Sequence, residues 1–221
     1  MLSGPGNEIV AEQRSDMSKG RILFLNGASS SGKSSIAKAL QGMLEEPCIH
    51  LCIDDYLSAF QKGLWDKQKI VQPAWPNIIG GFHAAAAAIA RAGNLVIVDD
   101  VLEEEPPWVE SLLELFDGLE VVFVGVHCPL EELERREKER DNRKAGLARL
   151  QFDQVHAQAI YDIKVDTSVL SPEDCATVIV DYTSSGNRPT AFEQLRENKV
   201  GSQSGHGWLH GSGGCLEKRG F

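Results

Sequence analysis

The 221-residue chain contains no apolar run near the ~18 residues that a membrane-crossing helix needs, which excludes a helical membrane protein. Its first residues, MLSGPGNEIVAEQRSDMSKG, are acidic and polar where a secretory signal would carry an apolar stretch, so a cytoplasmic protein is expected. Basic charge is also short. The 22 Lys and Arg face 32 Asp and Glu, giving a formal charge of −10 and a pI near 5.1. Such a surface repels phosphate backbones and anionic lipid, so nucleic-acid and membrane partners are not expected. Cysteine is sparse and odd in number: the five at 48, 52, 128, 175 and 215 form no CxxC pair, which argues against a disulfide framework or a zinc finger. The six histidines are scattered, and none shows a metal-ligand spacing with another His or with Cys. No internal repeat at a solenoid period is present.

Against these absences stands RILFLNGASSSGKSSIAKALQ, residues 21–41. An apolar run breaks into GxxxxGKS and then into a helix-forming stretch, the arrangement of a phosphate-binding P-loop. Gly27 and Gly32 permit backbone conformations that aim several N–H groups inward, and the positive end of the following helix adds to the anion site. Gly27, Ala28, Ser29, Ser30, Ser31, Gly32, Lys33, Ser34 and Ser35 are therefore the expected nucleotide cradle. Lys33 would reach the β and γ phosphates of ATP, and Ser34 would ligate Mg²⁺.

Downstream, apolar runs alternate with helical patterns. Strands are expected near 21–26, 48–53, 94–99, 119–127 and 162–166. Helices are expected near 33–45, 77–92, 106–117, 129–142, 147–161 and 172–182. The runs ILFL, LVIV and VVFVGV are continuous rather than alternating, as burial on both faces demands. The expected fold is α/β, a three-layer arrangement with a parallel sheet covered by helices on both faces. Residues 1–20 read as a flexible leader, 21–183 as the domain, and 184–221 as a flexible Gly/Ser-rich tail.

In open parallel sheets, ligands gather beyond the carboxyl ends of the strands. Two expected strands end in paired aspartates: Asp54 and Asp55 after Ile53, Asp99 and Asp100 after Val98. Phosphoryl transfer needs one carboxylate to take the proton of an attacking hydroxyl and another to hold Mg²⁺. Asp54 suits the first role and Asp99 or Asp100 the second. Helix capping is the competing role for each pair. In LEELERREKERDNRKAG, residues 130–146, basic residues interleave with acids on a helix that runs into a loop. A closing lid there would bring an arginine to the transferred phosphoryl group, and Arg140 and Arg143 lie nearest the end of the helix. Between Tyr56 and Phe82, the aromatics Tyr56, Phe60, Trp65, Trp75 and Phe82 suit either an acceptor pocket or packing against the sheet.

With the P-loop, IDDYL, GFHAAAAAIARAGNLVIVDD, VGVHCPLEELERRE, DNRKAGLA and YDIKVDTS in order, the chain resembles the chloramphenicol phosphotransferase family of P-loop kinases over roughly Arg21 to Thr183. The CPLE segment with the downstream RR and KAG is also similar to adenylylsulfate kinase. The resemblance implies a five-stranded kinase sheet with a lid helix, and transfer of the ATP γ-phosphoryl group to a small-molecule hydroxyl. It implies Asp54 as general base, Lys33 and Ser34 on nucleotide and metal, and Arg140 and Arg143 in the lid. The stretch from Ser58 to Pro76 departs from the family's antibiotic-binding loop and carries Lys62, Lys67 and Lys69. These lysines suit an anionic or highly polar acceptor, or a solvated surface.

Overall fold

The structure is a computed structural model that describes residues 20–103, 108–139, 146–157 and 159–202. Five strands, β1 (Arg21–Asn26), β2 (Cys48–Cys52), β3 (Leu95–Asp100), β4 (Glu120–His127) and β5 (Ile163–Asp166), form one sheet in the order β2-β3-β1-β4-β5. Every neighbouring pair is parallel. The helices are α1 (Lys33–Met43), α2 (Ile53–Ser58), α3 (Gln68–Arg91), α4 (Trp108–Leu115), α5 (Leu130–Lys138), α6 (Leu147–Phe152), α7 (Pro172–Ser184) and α8 (Ala191–Ser202). The expected three-layer fold is the observed one.

Strand alternation divides the core into two layers. Ile22, Phe24, Val96, Val98, Val121 and Phe123 pack against α3, α4 and α8. Leu23, Leu25, Leu95, Ile97, Val122 and Val124 pack against α1 and α7. Each central strand is thus apolar on both sides, which is why its sequence shows no alternation.

Three expectations change. First, α3 begins at Gln68, nine residues before the expected start, and runs through Pro73 and Pro76. Each proline removes an N–H from the helical ladder. The buried stripe Val71, Trp75, Ile78, Ile79, Phe82, Ala86 and Ala90 keeps helical spacing across both, so tertiary packing overrides the local penalty. Second, α6 stops at Phe152 rather than extending to 161. The Val155 carbonyl beyond it is diverted to Asn26 Nδ2 at 3.0 Å and to the Tyr161 hydroxyl at 3.3 Å. Third, the span expected as a flexible tail from 184 contains α8. Ala191, Phe192 and Leu195 of α8 are buried in the core, and Phe192 stacks on Phe116. Residues 1–19 of the expected leader and 203–221 of the tail lie outside the described residues. None of the described helices is long and apolar enough to cross a membrane.

Candidate active site

β1 delivers the chain into the P-loop where the sheet ends. A Cβ on Gly27 would sit 2.5 Å from the Val126 carbonyl oxygen and 2.8 Å from Ser31 Oγ, so only glycine fits there. Gly32 adopts φ of 95° and Ser30 φ of 66°; Ser30 is the only non-glycine residue with positive φ among the described residues. That conformation costs of order 1 kcal/mol and persists because the loop is locked by its surroundings. Ala28, Ser29, Ser30 and Ser31 are all buried, and the Ser30 and Ser31 hydroxyls have no hydrogen-bond partner among the described residues. The first turn of α1 carries no acidic residue, so its positive end is not neutralised locally. The donor-rich concavity fits a polyphosphate.

Lys33 is buried and folds back over the loop, donating to the carbonyls of Gly27 at 2.9 Å and Ala28 at 3.1 Å. Its Nζ is 3.8 Å from Asp99 Oδ1. Ser34 Oγ donates to Asp99 Oδ2 at 2.6 Å. Burial pushes the Asp99 carboxyl up, but the His50 imidazole, the Lys33 ammonium and the Ser34 hydroxyl outweigh it and hold the group below the usual carboxylate range. A hydroxyl and a carboxylate in contact form the hard oxygen donor pair that Mg²⁺ favours.

Asp100 does not join them. It follows Val96 and Val98 onto the α3 face, where Oδ2 meets His83 Nε2 at 2.8 Å and Oδ1 accepts the Val101 N–H at 2.7 Å. Of the two aspartates expected at the metal, the structure brings only Asp99 to Ser34, because strand alternation turns Asp100 away. At the end of β2 the chain turns directly into α2. Asp54 and Asp55 occupy its first turn, Asp54 half-buried and Asp55 exposed. Carboxylates in that position also favour the helix dipole.

Behind Asp99, on the α1 face, lie His50 and Cys52 of β2. Burial, then the charge of Asp99, pushes the Cys52 thiol up to about 11. On the other flank, the arginine cluster divides. Arg135 pairs on the surface with Glu132 and Glu139. Arg136 accompanies Glu132 and donates to Thr167 Oγ1 at 3.0 Å and the Thr167 carbonyl at 2.7 Å. That tie sets its guanidinium beside Gly32, 3.7 Å from where a Cβ would lie. Arg140 and Arg143, the expected lid arginines, lie outside the described residues.

Several polar residues that the sequence reading passed over knit this end together. Buried Glu137 accepts from the N–H groups of Gly146 at 2.7 Å and Ala148 at 2.9 Å, so one side chain ties the end of α5 to the start of α6. Gln151 accepts the Ser29 N–H at 2.8 Å and donates to buried Glu103 at 3.0 Å, linking α6 through the P-loop to the exit of β3. Asn26 donates to Tyr161 Oη at 2.8 Å and accepts from the Leu102 N–H at 2.9 Å. Asn26, Glu103 and Gln151 each adjoin apolar residues, the only sequence signal they carry, and Glu137 is hidden among the alternating charges of α5. The aromatics between 56 and 82 separate: Trp75 and Phe82 belong to the core, while Tyr56, Phe60 and Trp65 are only partly buried against it. Lys62, Lys67 and Lys69 are exposed.

A family model described as chloramphenicol phosphotransferase-like protein matches residues 20–184. A protein of Mycobacterium tuberculosis, named "Putative O-phosphotransferase" in each of two strains, is 31% identical over 204 residues, covering 82% of this chain and 90% of the relative. An unliganded sugar kinase from Janibacter sp. superposes with a TM-score of 0.56 at 19% identity, over 75% of this chain and 95% of its own. Shikimate kinase from Acinetobacter baumannii, solved with shikimate, gives a TM-score of 0.52 at 13% identity, over 79% and 98% respectively. At these identities the structural likeness speaks to the fold they share.

Proposed function

Because the chain belongs to the chloramphenicol phosphotransferase-like family, we propose that it transfers the γ-phosphoryl group of ATP to a hydroxyl of a small molecule, with chloramphenicol or another antibiotic alcohol as candidate acceptor. The observation that carries this reading is the contact of Ser34 with Asp99, with Lys33 Nζ beside them, at the mouth of a buried P-loop. Residues Gly27 to Ser35 would cradle the polyphosphate. Lys33 would exchange the Gly27 and Ala28 carbonyls for phosphate oxygens, and Ser34 and Asp99 would hold Mg²⁺. The ion would neutralise charge on the β and γ oxygens. The acceptor oxygen would form its bond to the γ phosphorus as the bond to the β–γ bridging oxygen breaks, and Asp54 would take the hydroxyl proton. Arg140 and Arg143 would close over the transferred group and exclude water.

A metabolite or sugar-nucleotide kinase is a second reading. It is favoured by exposed Lys62, Lys67 and Lys69 between α2 and α3, and by the commitment of Trp75 and Phe82 to the core. A cytoplasmic role in antibiotic resistance goes with the first reading alone.

The test is mass spectrometry of antibiotic alcohols and anionic metabolites incubated with Mg²⁺, ATP and either wild-type protein or Lys33→Ala. A product 80 Da heavier by one phosphoryl unit, about the mass of HPO₃, formed only by wild type would identify the acceptor class. Nucleotide binding without product from any alcohol or metabolite would instead favour a nucleotide-dependent regulatory protein. Asp54→Asn should leave ATP binding nearly unchanged while slowing transfer ~10²–10⁴-fold. An unchanged rate would remove Asp54 from the role of base.

A further inference from the structure

His50 and Cys52 are two residues apart, a spacing that means little on a helix but places both side chains on one face of a strand. β2 runs parallel to β3 with Cys52 opposite Asp99, and lateral partners share a face. Strand geometry therefore brings an imidazole, a thiol and a carboxylate together at the edge of the P-loop. One ligand atom from each of the three lies within 4.8 Å of the others. His50 Nε2 is 3.5 Å from Asp99 Oδ2 and makes no hydrogen bond among the described residues, although the atom is buried. That distance is long for a hydrogen bond. It is close to the ~3.3 Å that separates two ligands on one tetrahedral zinc at bond lengths of about 2.0 Å.

We propose that His50, Cys52 and Asp99 form a three-ligand site for a thiophilic divalent cation of the zinc class, and that filling it competes with Mg²⁺-nucleotide at Ser34 and Asp99. Sulfur and imidazole select such a cation over Mg²⁺, whereas the hydroxyl and carboxylate pair selects the reverse. Asp99 belongs to both sets and cannot serve both in full. Three protein ligands leave the fourth position of a tetrahedron for water. As the metal–sulfur bond forms, the Cys52 thiol gives its proton to solvent. Cation binding stands on the cluster alone; the competition rests on the phosphoryl-transfer reading of Asp99.

The 221-residue chain would be titrated with Co²⁺ as a spectroscopic probe, and with Zn²⁺ against a chromophoric chelator. Wild type and Cys48→Ser should show thiolate-to-cobalt charge transfer and the intense visible bands of a tetrahedral site, and Cys52→Ser should lose the charge transfer. Zn²⁺ affinity should fall at least ~10-fold in both Cys52→Ser and His50→Gln, two variants that guard against one misfolding. Excess Mg²⁺-ATP should reduce the wild-type signal. Bands unchanged in Cys52→Ser would place the sulfur elsewhere, at Cys215 for instance, and overturn the site. A cobalt signal indifferent to Mg²⁺-ATP, in protein that demonstrably binds Mg²⁺-ATP, would overturn the competition. Failure to bind Mg²⁺-ATP at all would instead count against the kinase reading and leave the cation site standing.

Discussion

The two faces of the sheet at the end of β3 differ in what they do with the same residue type. Asp99 and Asp100 are adjacent and equally buried, at 3% and 1% exposure. On the α1 face, Asp99 meets Ser34 and Lys33, groups from the first turn of the helix that follows the P-loop. On the α3 face, Asp100 holds His83 and the backbone turn at Val101, fixing where the chain leaves β3. One carboxylate faces a site where charge can be exchanged with a ligand; the other is consumed within the protein. The difference comes from a single step along a strand, because alternation sends neighbours to opposite helical layers.

The sharpest way to break this comparison is to neutralise each aspartate in turn. Asp99→Asn should lower phosphoryl transfer ~10²–10³-fold per folded molecule, the usual loss when a charge-positioning group leaves such a site. Asp100→Asn should keep most of the transfer rate and lose about 2 kcal/mol of stability, since it weakens a buried hydrogen bond to a charged group. Rate assays paired with urea unfolding separate the outcomes. Equal losses of rate in the two variants would mean that Asp100 also acts on the nucleotide.

The α3 face also holds the largest correction to the sequence reading. Strands were legible because each is a short apolar run followed by a polar stop, and the P-loop because its glycines have no substitute. Helix α8 was not. AFEQLRENKVGS has few apolar residues and follows a Gly/Ser-bearing stretch, and its burial depends on Phe116 and Phe123, which are distant in sequence. The early start of α3 was hidden by Pro73 and Pro76, which locally argue against helix while Val71 and Trp75 argue for it through packing. In the site, Lys33, Ser34 and the Asp99/Asp100 pair could be read from spacing. The choice within that pair depends on which helical layer each face of β3 meets, and the ties made by Gln151 and Asn26 depend on which segments the sheet brings side by side. Strand order is a long-range fact that spacing does not carry.

Phe192→Ala therefore tests whether α8 belongs to the domain. Its ring stacks on Phe116 and meets Phe123 edge-on, and truncating so buried an aromatic should cost about 3 kcal/mol in urea unfolding. A loss below ~0.5 kcal/mol, the scale of an exposed substitution, would return 191–202 to the periphery.

The smallest expected effect sharpens the electrostatic side of the contrast. On the α3 side of the β4 exit, His156 stacks on His127 at 4.0 Å and pairs with the Tyr161 hydroxyl at 2.7 Å. Burial, then the neighbouring His127, Lys33 and Lys164, lowers the His156 pKa from 6.5 to about 4. Burial and Lys164 lower His127 as well. Between those two values the unfolded chain binds more protons at His156 than the folded one, so stability rises with pH across that window and is lost as pH falls from 6.5 toward 4. Asp99 works in the same direction in acid, because its carboxyl is held below the ordinary range and must be protonated for the fold to weaken. His156→Gln should flatten the slope of unfolding free energy between pH 6.5 and 4 while leaving the steeper acid limb in place. An unchanged slope would mean that the stacked histidines titrate as exposed groups, and that the α3 side, like the P-loop side, tolerates charge.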